Sequence, residues 1–375
     1  MKIILTGGGT GGHFYPILAV IDAINMLAEQ KKMLPPEIVF MSDSPYDSAE
    51  LVKRGVRFKR IYAGKIRRYF SLRNFPDILK TLAGIIKAVV IVYLDFPDII
   101  FSKGGYVSFP VIFAAKIFGM PLVIHESDAV PGKVNQWAGK FARGIAISFP
   151  QTIKYFPKEK TAYTGNPIRK GFSVPLKTGS REILKLEENL PVILVLGGSQ
   201  GARAINDLIL DVLPELIQKY QIIHQCGENN FEDVKKRISI ILDKSSLSHR
   251  YHLFKYLKED LLRMAYGSAN LVISRAGSGS IFEIATSGLP SILIPLPHAA
   301  QDHQRENAQA YAETGATEII EQNNLTPHIL LSEIEKIISN KKLMEDMSKT
   351  AKNFSKPDAA EKIAKEILVI TLEHS

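Results

Sequence analysis

Three glycine-rich turns, each beside polar groups able to move a proton or hold an anion, carry the chemistry of this sequence. The first is Gly7-Gly8-Gly9-Thr10-Gly11-Gly12-His13, in which Gly7, Gly9 and Gly12 keep a G-x-G-x-x-G spacing. So dense a run of glycine exceeds what a tight turn needs. Its use is close backbone approach, with N–H groups and a helix dipole facing negative charge. Histidine stands where a Walker A loop has lysine, which excludes that loop. His13 brings an imidazole whose ordinary pKa suits proton transfer near neutrality. His125-Glu126-Ser127-Asp128 offers a second polar set after an apolar run, and Glu126 is the other candidate base.

The second turn, Gly197-Gly198-Ser199-Gln200-Gly201-Ala202-Arg203, presents Ser199 and neighbouring N–H groups to a phosphate. The third, Ser274-Arg275-Ala276-Gly277-Ser278-Gly279-Ser280, runs into Ile281-Phe282-Glu283. Glu283 fits either a capping box with Ser280 or a ribose hydroxyl. Asp302-His303-Gln304 follows the proline-rich Pro295-Leu296-Pro297, and Lys103-Gly104-Gly105-Tyr106 is a further glycine turn. The sequence has no D-x-D pair and no H-E-x-x-H, so no metal site is expected.

These turns need strands before them and helices after them. Apolar runs at Lys2–Thr6, Ile38–Met41, Asp98–Phe101, Leu122–His125, Gly144–Ser148 and Ala162–Thr164 read as buried parallel strands. The pattern restarts with Val192–Leu196, Gln221–His224, Tyr251–Phe254, Leu271–Ser274, Ser291–Pro295 and Thr317–Ile320. Helical spacing follows the first turn at Ile17, Val20, Ile21, Ile24 and Leu27, and the second at Ile205, Leu208, Ile209, Val212 and Leu216. Two such series predict an α/β protein of two Rossmann-like doubly wound parallel-sheet domains, divided within Gly165–Asn189.

The chain has 375 residues, 46% of them apolar and 23% charged, which is ordinary globular usage. The single cysteine, Cys226, excludes an intrachain disulfide and fits a reducing compartment. No signal peptide is read at the start, and the greasy stretch Leu82–Leu94 falls short of the roughly 20 residues that span a bilayer. The net charge of +9 is concentrated between Leu51 and Pro76, where Lys53, Arg54, Arg57, Lys59, Arg60, Lys65, Arg67, Arg68 and Arg73 stand without an acid. Phe58, Tyr62, Tyr69, Phe70, Leu72 and Phe75 are interleaved with them. Such a window points to an anionic surface or ligand. The segment that follows repeats Ile78, Leu79, Leu82, Ile85, Ile86, Val89, Val90 and Tyr93 at helical spacing and is expected to be a core helix.

GGGTGGHFYP, FSKGGYVS, HESDAVPG, TGNPIR, GGSQGAR, SRAGSGSIFEIATSGLP and DHQRENA stand in this order from Lys2 to about Gly315. Together they resemble the MurG family of peptidoglycan N-acetylglucosaminyltransferases. The resemblance implies the GT-B fold, two domains facing a cleft: 1–165 for the acceptor and membrane side, 166–350 for UDP-GlcNAc, and a closing helix in 351–375 that packs back on the first domain. It implies transfer of GlcNAc from UDP-GlcNAc to the C4 hydroxyl of MurNAc in lipid I, with inversion, giving lipid II and needing no cofactor or metal. Thr10, Gly11 and Gly12 match the loop facing donor sugar and acceptor; Arg169 matches a donor-binding arginine and Ser199 the serine at the UDP phosphates. Leu257 falls where a backbone group pairs with uracil. Ser278 and Glu283 match the nucleotide loop, and Gln304, with His303, matches the group at the GlcNAc hydroxyls. Asp128 departs from the asparagine often found there, and an ionised carboxylate cannot donate a hydrogen bond.

In this reading His13 or Glu126 removes the acceptor proton, with His13 favoured, while second-loop N–H groups and Arg169 meet the leaving charge. A patch of Arg67, Arg68, Phe70, Arg73 and Phe75 docks the chain peripherally on an anionic membrane surface, the cytoplasmic face of the plasma membrane. Other cell-wall synthesis and division proteins are possible partners; nucleic acid is not. The alternatives are another GT-B UDP-sugar transferase or epimerase and, remotely, an NAD-dependent oxidoreductase built on the first turn and Asp43.

Overall fold

The computed structural model describes residues 1–8, 10–65, 74–198, 201–297 and 302–374. The chain forms two compact units, Met1–Arg169 with Lys356–Ser375, and Lys170–Ser355. These divisions fall slightly later than the expected 165/166 and 350/351. The turn after the last strand of the first unit stays with that unit because the Thr164 and Gly165 amides both donate to Ile147 O, at 3.1 and 3.2 Å.

In the first unit the strands are β1 (Lys2–Thr6), β2 (Glu37–Ser42), β3 (Arg57–Arg60), β4 (Ile99–Ser102), β5 (Leu122–Glu126), β6 (Gly144–Ile147) and β7 (Thr161–Tyr163). Its helices are α1 (Gly11–Gln30), α2 (Ser48–Lys53), α3 (Asn74–Asp95), α4 (Phe109–Ile117) and α5 (Lys133–Gly139). The second unit holds α6 (Ser180–Ile183), α7 (Arg203–Lys219), α8 (Phe231–Ile241), α9 (Glu259–Ser268), α10 (Ser278–Ser287), α11 (His303–Ala312), α12 (Pro327–Ser339) and α13 (Lys341–Phe354). Its strands are β8 (Val192–Leu196), β9 (Gln221–Gln225), β10 (Tyr251–Phe254), β11 (Leu271–Ser274), β12 (Ser291–Leu293) and β13 (Thr317–Ile319). The closing helix α14 (Ala359–His374) belongs to the first unit, where Ile363, Ala364, Ile367 and Leu368 enter the core with Ile17, Val20 and Ile24 of α1.

Both sheets are parallel, ordered β3-β2-β1-β4-β5-β6-β7 and β10-β9-β8-β11-β12-β13. Strand order reverses between β1 and β4 and again between β8 and β11. Crevices at such reversals are where open α/β sheets take ligands. The three glycine turns follow β1, β8 and β11, so the fold puts each at a reversal.

Strand β3 is an element the sequence reading did not contain. Its residues Arg57-Phe58-Lys59-Arg60 look like a charged loop, yet they pair in register with Val39–Ser42. Cations on an outermost strand discourage further pairing. The structure also reduces the basic window: Arg54 pairs with Asp22 and Glu50, Arg57 with Glu37 and Lys59 with Asp95, all acids from outside the window. Helix α3 is not a core helix. Its inner face is small, with Gly84, Ala88 and Val92 buried. Its outer face carries Phe75, Ile78, Leu79, Leu82, Ile86, Val90, Tyr93 and Leu94, all exposed, Ile86 to 67% and Leu94 to 73%. Among the described residues no helix is long and apolar enough to cross a membrane.

Candidate active site

In the first unit the carboxyl ends of β1, β4 and β5 bring three sequence motifs together. Helix α1 starts at Gly11 with Thr10 as its N-cap, so His13 sits in the first turn, half-buried. His13 Nδ1 lies 3.0 Å from Thr10 Oγ1. When Nδ1–H donates to that hydroxyl, Nε2 carries the lone pair a base needs. Gly105, on the turn after β4, has φ +83°, and a Cβ there would sit 3.5 Å from His13 Nε2 and 3.6 Å from the Gly8 amide. Glycine is favoured there for its backbone angle, since a Cβ would make only ordinary van der Waals contact with the first turn.

Glu126 is differently placed. It ends β5, is 4% exposed, and accepts from Asp128 N at 3.0 Å, Gly132 N at 3.1 Å and Asn135 Nδ2 at 2.8 Å. Burial, with the Asp128 charge, raises its pKa, while those three donors hold it down. Its carboxylate thus shapes the loop from 126 to 132 through N–H donors that a sequence cannot display. Asp128, half-buried, lies on that loop and gives its carbonyl to Thr152 Oγ1 at 3.2 Å.

Arg169 ends the first stretch of the first unit, its guanidinium 4.2 Å from the ring centre of Tyr15. Tyr15 and Tyr46 meet edge to face at 5.8 Å, and a Cβ on Gly11 would lie 2.9 Å from Tyr46 Oη. Both tyrosines border the first turn; Tyr15 stands inside GGGTGGHFYP with no role assigned to it, and Tyr46 in no motif. Lys103, Asn135 and Asn166 were also missed as side chains; only the lysine gave a signal, as a charge standing in Phe101-Ser102-Lys103-Gly104.

In the second unit the turn after β8 leads into α7. Gly201 has φ +80°, and a Cβ there would run into the Cys226 carbonyl and the Asn230 amide. Ser199 lies outside the described residues, as do Arg67, Arg68, Phe70 and Arg73; Phe75 is 70% exposed. A buried chain braces the turn. Tyr251 Oη is 2.6 Å from His224 Nδ1, His224 Nε2 is 3.0 Å from Asn206 Oδ1, and Asn206 Nδ2 donates to Cys226 O at 3.0 Å. Burial pushes His224 down to about 3, so it is a neutral spacer.

Gln225 joins two predicted contacts. Its Nε2 donates to Gly198 O at 3.4 Å and its Oε1 accepts from Leu257 N at 2.8 Å. Leu257 is 1% exposed, and a uracil taking its N–H would have to displace Gln225. Helix α10 begins at Ser278 with Gly277 as N-cap. Ser280 is therefore inside the helix and no capping box forms. Glu283, half-buried, instead accepts from Tyr266 Oη at 3.4 Å. His303 opens α11, and Gln304 Oε1 accepts from Leu296 N at 2.9 Å. Among the described residues no three His, Cys, Asp or Glu side chains gather as a metal site would require.

Residues 3–147 match the glycosyltransferase family 28 N-terminal domain, and residues 192–363 the family's C-terminal domain. The chain is 35% identical, over 94% of both chains, to the UDP-N-acetylglucosamine–N-acetylmuramyl-(pentapeptide) pyrophosphoryl-undecaprenol N-acetylglucosamine transferase of Clostridium tetani. It overlays the crystal structure of Acinetobacter baumannii MurG at a TM-score of 0.73, with 26% identity, covering 98% of this chain and 99% of that one. Neisseria meningitidis UDP-GlcNAc 2-epimerase, solved with UDP-GlcNAc, shares the fold at a TM-score of 0.67, 15% identity and full coverage of both chains.

Proposed function

The chain belongs to the MurG family within glycosyltransferase family 28, and we propose that it moves GlcNAc from UDP-GlcNAc to the C4 hydroxyl of MurNAc in lipid I. The 35% identity to the Clostridium tetani transferase over 94% of both chains carries this reading. It separates the chain from the 2-epimerase, which is like it in fold alone.

The second unit takes the nucleotide. The turn 197–202 and the start of α7 offer backbone N–H groups to the pyrophosphate, with Ser199 beside them. Glu283 meets the ribose, the neighbourhood of Leu257 the uracil, and His303 with Gln304 the sugar hydroxyls. The first unit brings the acceptor to Thr10, Gly11 and Gly12. His13 Nε2 removes the proton from the C4 hydroxyl as its oxygen attacks C1 of GlcNAc. The C1–O bond to UDP breaks on the opposite face, so the anomeric centre inverts. Arg169 and the second-turn N–H groups stabilise the charge on the departing diphosphate. Neither cofactor nor metal enters these steps, and chelation with EDTA should leave the rate unchanged; a loss restored by magnesium would contradict this.

The outer face of α3 with the remaining basic side chains docks the enzyme on the anionic cytoplasmic leaflet, where its lipid acceptor resides. Apolar side chains enter the headgroup boundary, and each basic group near the surface adds about 1 kcal/mol. The nucleotide assignment is tested by thermal unfolding with a ligand panel. UDP-GlcNAc should raise the melting point more than UDP-glucose, UDP-GalNAc or NADH, because binding to the folded state alone stabilises it. NADH ahead of every uridine nucleotide would overturn it.

A further inference from the structure

Lys103, immediately after β4, is the only lysine among the described residues that is buried, at 2% exposure. Its Nζ lies 2.7 Å from His125 Nδ1 and 3.0 Å from Asn166 Oδ1, and donates also to Ser127 Oγ. An ammonium has three N–H donors and no acceptor, so each donor finds one partner. The partners fix the imidazole as well. With Nδ1 accepting from Lys103, Nε2 carries the proton and donates to Gly165 O at 3.1 Å. Burial and the Lys103 charge both hold His125 neutral. Burial lowers the Lys103 pKa to about 7, with the carboxylates of Glu126 and Asp128 opposing it in favour of the charged form.

The residues so joined stand in or beside the segments that carry Glu126, Asp128 and Arg169. The Lys103 amide donates to Thr6 O at the end of β1, at 2.9 Å. Gly105, two residues on, lies against His13 and Gly8 of the first turn, and Gly104 against Asn135. Ser127 stands between Glu126 and Asp128. Asn166 lies three residues before Arg169, which rests on Tyr15 of α1.

We propose that Lys103 is a positioning residue for the transfer: its ammonium ties the ends of β4 and β5 and the turn 164–166 into one clamp, which holds Arg169 and the 126–132 loop in register with His13. It acts through its three partners and not on substrate. The geometry of the clamp is independent of the transferase reading, whereas its effect on turnover rests on that reading.

The test compares full-length wild type with Lys103→Met, Asn166→Ala and the double variant, by amide hydrogen exchange and by GlcNAc transfer to a lipid I analogue. In Lys103→Met, amides 164–169 and 125–132 should exchange at least about tenfold faster, with residues 192–355 unchanged. Turnover should fall about tenfold or more. Asn166→Ala should show a smaller change of the same kind, and the double variant should be no worse than Lys103→Met, because both substitutions open one clamp. Unchanged exchange overturns the clamp. Loosened segments with wild-type turnover, or effects that multiply in the double variant, overturn its role in positioning. If Lys103→Met does not fold, Asn166→Ala carries the test alone, since it leaves two of the lysine's three bonds; wild-type exchange and turnover there would overturn the proposal. A wild type that transfers nothing would sink the transferase reading, and the exchange comparison would still decide the clamp.

Discussion

Replacing Glu126 by glutamine and His13 by alanine should separate a scaffold from a base. Glu126 accepts three N–H donors, from Asp128 and Gly132 in the backbone and from Asn135. A glutamine can turn its carbonyl toward Gly132 and Asn135 and keep two of them. Its amide nitrogen then faces the Asp128 N–H, donor against donor, at a site only 4% exposed. Losing one hydrogen bond to a charged acceptor and burying the orphaned donor costs about 2–3 kcal/mol. For a unit of this size each kcal/mol moves the melting point by about 2–4 °C, so Glu126→Gln should melt about 4–12 °C lower. The measurement belongs at about pH 8.5, above the raised carboxyl pKa, where wild type holds a carboxylate. Its turnover should drop by less than about tenfold, through loosening of the 126–132 loop. His13 is half-buried in the first turn of α1, and His13→Ala should melt within about 3 °C of wild type. Its turnover should fall by about 10²–10⁴, the usual worth of a general base. Circular dichroism melts and initial-rate transfer assays on both variants decide the matter. If Glu126→Gln lost a hundredfold in turnover with an unmoved melting point, and His13→Ala stayed within tenfold, the roles assigned here would be reversed.

Three other outcomes follow from the same geometry. The folded-state pKa of His224, about 3, lies below its unfolded value of roughly 6.5. The unfolded chain therefore binds a proton first as pH falls, and this contribution to stability is complete above pH ~6.5 and lost below it at up to about 1.4 kcal/mol per pH unit. His224→Asn should flatten the stability slope between about pH 6.5 and 4 by that amount in urea titrations; an unchanged slope would show that His224 protonates without unfolding. Gly201→Ala should weaken UDP affinity at least about tenfold by isothermal titration, because a Cβ collides with Cys226 O and φ is positive, at a cost of about 1 kcal/mol or more; wild-type affinity would remove the second turn from the phosphate site. Leu82→Asp with Ile86→Asp should cut recovery on anionic vesicles about tenfold without altering turnover on a soluble acceptor, and equal recovery would remove α3 from the membrane surface.

The strands before the glycine turns were legible because a continuous apolar run ending in glycine has few other readings, and β1, β8, β10 and β11 carry the expected bounds. Strand β3 was not, because three of its four residues are cationic, none is buried, and what holds it is pairing with β2 and the contact of Phe58 with Phe40. The outer face of α3 shows why apolar spacing alone misleads: the same 3.6-residue pattern serves a buried face and an exposed one. What decides here is the small inner residues Gly84, Ala88 and Val92. The basic window lost part of its charge to Asp22, Glu37 and Asp95, acids distant in sequence but adjacent in space. Ser280 and Glu283 matched a cap by spacing, yet the helix starts two residues earlier, at Ser278. The roles of Lys103, Gln225 and Asn206 were invisible because each is defined by partners on other strands.

The most direct measurement is the identity of the products. Purified enzyme given UDP-GlcNAc and a lipid I analogue should yield UDP and a GlcNAc–MurNAc disaccharide in equal amounts, and proton NMR should show a β-linkage formed from the α-linked donor. Conversion of UDP-GlcNAc to its 2-epimer with the acceptor untouched, or an α-linked product, would contradict the account.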